Sequence, residues 1–427
     1  MSTTAPAHLP SAAPHGSAPS GRGTPADRAV VTGIGVAAPN GLSTPVWWEA
    51  VLRGESGIRP VSRFESGRYP SSLAGEVPGF VDADLIPSRL LPQTDRMTRL
   101  ALVAAEEALR DSGIGLEELP EYGAGVITAA SAGGFEFGQR ELEALWSKGG
   151  QHVSAYQSFA WFYAVNTGQI SIRNNLRGPS GVLVTEQAGG LDAVAQARRQ
   201  LRRGVRLVVT GGVDSALCPW GWAAHIAGGR MSTGDRPDRA YLPFSADADG
   251  HVVGEGGALL VLEDADSAHA RGARPYGAVA GYAATFDPDP SDPSGLRRAA
   301  ELALADAGAA GDEVDVVFAD AAGERDQDRA EAVALADLFG PNGVPVTAPK
   351  TMTGRLSAGG ASLDLAAALL SLRDQVVPPT VNVTAPAEDC PIDLVTGRPR
   401  PLALRTALVL ARGRGGFNAA AVVRAAS

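Results

Sequence analysis

The chain has 427 residues, 44% of them hydrophobic and 20% charged, which gives ample material for a large core in two domains or one duplicated fold. A net charge of −10 and the lack of a dense Lys/Arg stripe argue against a nucleic-acid partner. Two cysteines, Cys218 and Cys390, are too few for a disulfide framework, and no apolar run approaches membrane-spanning length, so the expectation is a cytoplasmic protein with no membrane partner.

Residues 1–27 are rich in Ala, Pro, Ser, Gly and Thr without an apolar centre, so they read as a disordered tail and not a targeting segment. A buried strand is predicted over 29–34. Gly33-Ile34-Gly35-Val36-Ala37-Ala38 matches G-x-G-x-x-A, but Pro39-Asn40-Gly41 follows, and the next helix starts near Thr44-Pro45. A dinucleotide turn must open a helix at once, so that its free amides face the pyrophosphate; this spacing weighs against a nucleotide. A helix follows over 98–112 and a strand over 125–128. The stretch 135–146 reads as a helix with Phe135, Gly138 and Leu142 on one face, either a core face with a glycine for close packing or a functional surface. Residues 156–165, YQSFAWFYAV, are apolar on all sides and suit a core or a subunit interface.

A strand over 182–185 then turns into an amphipathic helix over 191–203. Such a turn lifts residue 187 to a helix amino end, where the dipole would favour a thiolate. Residue 187 is Gln, and an amide is no nucleophile. Strands are predicted over 205–210 and 258–262, and Asp/Pro-rich 287–293 is a loop. The division into two parts is placed before that loop, near Pro275: residues 28–275 and 276–427. The second part repeats the alternation, with strands over 314–318, 344–347, 406–410 and 419–423 and helices over 297–307, 327–338 and 362–373. The implied class is α/β with a largely parallel sheet. Six isolated histidines form no metal-binding pattern, and no metal is expected.

VVTGIGVAAPNG at 30–41, PFSADADGHVVGEGGALLVLED at 243–264, PKTMTGRLSAGGASLD at 349–364 and RGRGGFNAA at 412–420 together resemble motifs of the ketosynthases of the thiolase-like superfamily. Within them the chain is most similar to the β subunit of type II aromatic polyketide synthases, the chain length factor. The resemblance runs from about residue 29 to 424 and implies a five-layered α/β/α/β/α fold of two similar halves. Active ketosynthases use one cysteine and two histidines. By position these map to Gln187, Asp320 and Arg355, while the family's lysine is retained as Lys350. Loss of all three reactive groups excludes autonomous Claisen condensation.

The resemblance implies a non-condensing subunit that pairs with a ketosynthase α subunit and meets the acyl carrier protein, within a transferase complex of antibiotic-type polyketide synthesis. No cofactor of its own is implied, since substrate would arrive on the carrier protein's phosphopantetheine arm. Phe135, Gly138 and Leu142 match the helix that limits the polyketide tunnel. The small size of Gly138 and Leu142 predicts a deep tunnel, for a chain of about ten acetate units. Gln187 has two readings. It assists malonyl decarboxylation and so primes the chain, with the backbone N–H groups of Gln187 and Arg414 as an oxyanion hole, or it fills the cavity and satisfies its neighbours. Asp320 and Arg355 either pair across the vacated pocket or stand as solvated charges at its mouth.

Overall fold

The structure is a computed structural model that describes residues 28–289 and 291–426; the predicted tail, 1–27, lies outside the described residues. The first half contains β1 (Ala29–Ala37), α1 (Thr44–Arg53), α2 (Arg96–Ser112), β2 (Ala124–Ala129), α3 (Phe135–Lys148), α4 (Val165–Asn174), β3 (Ser180–Leu183), α5 (Gly189–Arg202), β4 (Leu207–Asp214), α6 (Pro219–Ala227) and β5 (Gly256–Asp264). The second contains β6 (Gly277–Phe286), α7 (Ser294–Ala307), β7 (Val316–Phe318), α8 (Arg325–Phe339), β8 (Pro345–Thr347), α9 (Gly360–Asp374), β9 (Asp393–Leu394), β10 (Thr406–Gly413) and β11 (Phe417–Ala425).

The strands run in the order β3-β2-β4-β5-β1 and then β6-β11-β10-β7-β8-β9. The two series meet only through Val30↔Ala278 and Val31↔Gly277. In the first, β2 is parallel to β3 and β4, whereas β5 is antiparallel to β4 and β1. In the second, β7 is parallel to β8 and β10, whereas β11 is antiparallel to β10 and β6. The halves therefore repeat one topology, and the sheet is mixed where a largely parallel one was expected. One cause is local: only three residues separate β10 from β11, and so short a link can join only antiparallel neighbours.

Five layers follow from strands buried on both faces. Phe318, Val316, Leu260 and Leu262 point into a central core with Leu191 and Val194 of α5 and Leu365 and Leu369 of α9. Their neighbours one residue on, Leu259 and Val261, face an outer core with Leu100 and Ala104 of α2 and Ile170 of α4. Val317 likewise faces Leu296 and Ala303 of α7 and Leu335 of α8. The two-residue period of a strand sends alternate side chains to the two cores, which is why these strands read as continuous apolar runs.

The G-x-G of β1 serves this packing. A Cβ at Gly35 would stand 1.9 Å from the Ala104 carbonyl of α2, and one at Gly281 of β6 would stand 2.1 Å from the Ala303 carbonyl of α7. Both halves press an Ala-rich helix onto a strand that can carry no side chain at that point. Asp95 caps α2 through the Met97 N–H (2.9 Å) and also accepts the Phe137 N–H (2.8 Å), which ties α3 to the scaffold.

Candidate functional site

β3 ends at Leu183, paired with Ala129 of β2, two residues before the predicted end. Thr185, Glu186 and Gln187 then form a tight turn, with Glu186 at φ +51°. A non-glycine residue in that region costs roughly 1 kcal/mol and persists only where its surroundings enforce it. α5 begins at Gly189, and at Gly190 a Cβ would stand 2.6 Å from the Ser362 backbone N, so only a glycine lets α5 pack this closely on the start of α9.

Gln187 is fully buried, and its amide lies where a Cβ on Gly360 would be 2.2 Å from Nε2. Neither Nε2 nor Oε1 has a hydrogen-bond partner. The side chain fills space but satisfies no neighbour. Arg414 departs further from expectation: its backbone N–H donates to Glu186 Oε2 at 3.0 Å, so the amide assigned to an oxyanion hole already holds a carboxylate.

Asp320 and Arg355 do meet. Arg355 Nη2 lies 3.0 Å from Asp320 Oδ1 and Nη1 lies 3.2 Å from Oδ2, with both residues buried. Arg412 adds its backbone N–H to Asp320 Oδ1 (2.8 Å) and its Nε to Oδ2 (3.3 Å), and its Nη2 reaches Glu331 Oε2 (3.2 Å). Glu331 in turn accepts the N–H groups of Asp320 (2.7 Å) and Ala321 (2.9 Å). Lys350 donates to the carbonyls of Ala319 (2.8 Å) and Asp320 (2.9 Å) and stands 2.8 Å from Asp364 Oδ2. Three acids thus balance three bases. Burial alone would raise the Asp320 carboxyl, but Arg355, Arg412 and Lys350 outweigh it and hold the group well below the usual carboxylate range. Glu331 moves the other way, raised by burial against the pull of Arg412.

Two cavities adjoin the 185–188 turn. One, of about 180 Å³, is lined by Phe135, Glu186, Asp214, Gly221, His225 and Arg414 among others. The second, of about 60 Å³, is lined by Glu186, His225, Arg230, His251, Arg355 and Arg414 among others. Gln187 lines neither. Burial, and then the Arg414 charge, push His225 down to about 4, and burial likewise holds His251 well below its ordinary value.

Phe135, Gly138 and Leu142 share a face of α3 but not one environment. Phe135 is half-buried and stacks on Trp220 with centroids 4.6 Å apart, Gly138 is buried, and Leu142 is exposed. The space above Gly138 is not vacant. A Cβ there would meet Trp161 Cδ1 at 2.8 Å and Trp220 Cζ3 at 3.2 Å, so two indoles occupy the volume that a larger side chain would take. Around this face Tyr156, Phe159, Trp161, Phe162 and Tyr163 are each 40–49% exposed, the interface alternative for that stretch and not the core one. Sequence reasoning missed Glu186 and Arg412, whose partners are distant in the chain, and Glu331 and Asp364, whose partners Asp320, Ala321 and Lys350 lie only 10–14 residues away but carry no pattern that marks the pairing. Among the described residues no helix is long and apolar enough to cross a membrane.

The family model of the β-ketoacyl synthase N-terminal domain matches residues 26–268, and that of the C-terminal domain matches 276–384. The chain is 59% identical to the actinorhodin polyketide putative beta-ketoacyl synthase 2 of Streptomyces coelicolor, over 92% of this chain and 98% of that protein. It is 60% identical to the tetracenomycin polyketide synthase ketoacyl synthase beta subunit of Streptomyces glaucescens, with the same coverage. Among solved structures it superposes on the ishigamide ketosynthase/chain length factor with a TM-score of 0.86 at 28% identity, covering 94% of this chain and all of that one. It also superposes on a chain of a type II acyl-carrier protein in complex with its ketosynthase bound to the hexaketide, with a TM-score of 0.85 at 27% identity and the same coverage. A duplicated scaffold and likenesses that run over nearly the whole chain converge: the chain belongs to the β-ketoacyl synthase family, among the ketosynthase β subunits, or chain length factors, of type II polyketide synthases.

Proposed function

We propose that the chain binds a ketosynthase α subunit through the aromatic surface beside α3 and, without condensing anything itself, bounds the tunnel into which the partner's poly-β-ketone grows. The observation that carries this reading is the unpartnered cluster of Tyr156, Phe159, Trp161, Phe162 and Tyr163 next to Phe135, Gly138 and Leu142. Five half-exposed aromatics in eight residues form an apolar surface suited to burial against another subunit. Edge strand β3 lies in the same half, with Val184 just beyond it 47% exposed. Because Trp161 and Trp220 fill the space over Gly138, these indoles and Leu142 set the depth, and about ten acetate units is a length carried by the family likeness and not by vacant volume at Gly138. The acyl carrier protein delivers substrate to the complex on its phosphopantetheine arm, the chain needs no cofactor of its own, and the complex works in the cytoplasm.

Malonyl decarboxylation through Gln187 is the lesser reading, since that amide faces neither cavity and the Arg414 N–H is engaged. Association tests the partner surface directly. Phe159→Asp with Phe162→Asp, both on side chains at least 41% exposed, should leave the fold intact and abolish co-purification with the α subunit. Undiminished association would remove the surface from the account.

A further inference from the structure

We infer that Glu186 is a built-in plug: its carboxylate occupies the anion-stabilising position between the 185–188 and 412–416 turns and bars the acyl carbonyl of a thioester from the pocket. The two turns are pressed together, since a Cβ at Gly413 would stand 2.1 Å from the Thr185 carbonyl oxygen. From the second turn the Arg414 N–H points at the first and meets Glu186 Oε2 at 3.0 Å. That is the distance at which a backbone donor holds a developing oxyanion. A charged acceptor makes the stronger kind of hydrogen bond, so a neutral carbonyl does not displace it readily.

Backbone and cavities give the same assignment. Glu186 sits at φ +51°, a conformation that suits glycine and strains glutamate. The two cavities of about 60 and 180 Å³ share three lining residues, Glu186, His225 and Arg414, so the Glu186 side chain stands where they adjoin. Its charge also faces any incoming malonyl carboxylate with repulsion. Silence of the site therefore has two layers: no thiol at residue 187, and an occupied amide beside it. This inference is independent of the chain-length role, which survives if the plug fails.

The test uses the complex with its α subunit and a reporter thiol introduced by Gln187→Cys, alkylated by chloroacetyl-pantetheine and followed by peptide mass spectrometry. With Glu186 intact, labelling is slow. Adding Glu186→Gly, which suits the left-handed backbone and removes the side chain, should speed labelling by about tenfold or more. Adding Glu186→Gln instead keeps the volume but leaves only a neutral, weaker acceptor, so labelling should rise part of the way and stay well below the Gly variant. Cys218 and Cys390 are both buried and must stay unlabelled, which separates an opened pocket from a loosened fold; if they react in the Gly variant, Glu186→Ala takes its place. No acceleration in a folded variant overturns the plug. Acceleration by Gln equal to that by Gly also overturns it, because a side chain that still fills the position would then bar nothing.

Discussion

Asp320 and Arg355 meet as a two-point ion pair in the interior, Oδ1 to Nη2 at 3.0 Å and Oδ2 to Nη1 at 3.2 Å. The resemblance drawn from the sequence assigns these two positions to the family's histidines, and the pair found there neutralises itself. Breaking one side of such a pair costs far more than removing both. Asp320→Ala leaves Arg355 and Arg412 with Glu331 as the remaining facing acid and should destabilise by about 3–5 kcal/mol in urea unfolding. Asp320→Ala with Arg355→Leu should recover at least about 1 kcal/mol of that loss. A double variant no more stable than the single one would contradict the pairing account.

The buried carboxyls make stability depend on pH in opposite directions. Asp320 is depressed, so its contribution is complete above its unfolded value of about 4 and is lost as pH falls through the native value. Asp95 and Asp214 are pushed up to about 6 and Asp328 to about 7, foremost by burial. Between about pH 4 and those values the unfolded chain has released protons that these three carboxyls keep, so their contribution to stability falls as pH rises and levels off above about 7. The depressed His225 and His251 act against this, contributing a rise up to about pH 6.5. Asp328 accepts the N–H groups of Phe244 (2.9 Å) and Gly323 (3.1 Å), and Asp328→Asn keeps one acceptor oxygen without a titration. The midpoint of urea unfolding measured from pH 5 to 8 should fall less in that variant. An unchanged slope would remove Asp328 from the explanation.

Gln187 buries two polar atoms without partners, and an unmet buried amide costs about 1–3 kcal/mol. Gln187→Leu, similar in size and apolar, should raise the unfolding temperature by about 1–3 °C, since 1 kcal/mol is worth about 1 °C in a chain of this size. It should leave polyketide output unchanged. Loss of product with folding intact would instead give the amide a catalytic part.

Much of the scaffold was legible because strand and helix periods differ so plainly. Helix 98–112 was found as Arg96–Ser112, and strand 419–423 as Phe417–Ala425. The duplication came only with the family resemblance and not from the letters of the two halves, since it lies in strand order and in contacts such as Gly35 on Ala104 and Gly281 on Ala303. At the site, Asp320 and Arg355 could be paired from the sequence because motifs placed both. Arg412 lies 92 residues from Asp320, and nothing local marks it as a partner. Gly138 was read as removed volume, and only the fold brings Trp161 and Trp220 over it. Glu186 looks like an ordinary polar turn residue until Arg414 is placed against it.

The central claim is that α3 and its surface set product length. The direct measurement is the product mass from α subunit, acyl carrier protein and malonyl donor, with this chain, without it, and with Gly138→Thr plus Leu142→Phe. A Thr at 138 must displace the Trp161 indole inward or outward, and the bulk at both positions should shorten the tunnel. The account predicts one defined long polyketide that requires this chain, shortened by at least one two-carbon unit in the double variant. The same product without the chain, or an unchanged mass from a variant complex shown to be intact, would contradict it.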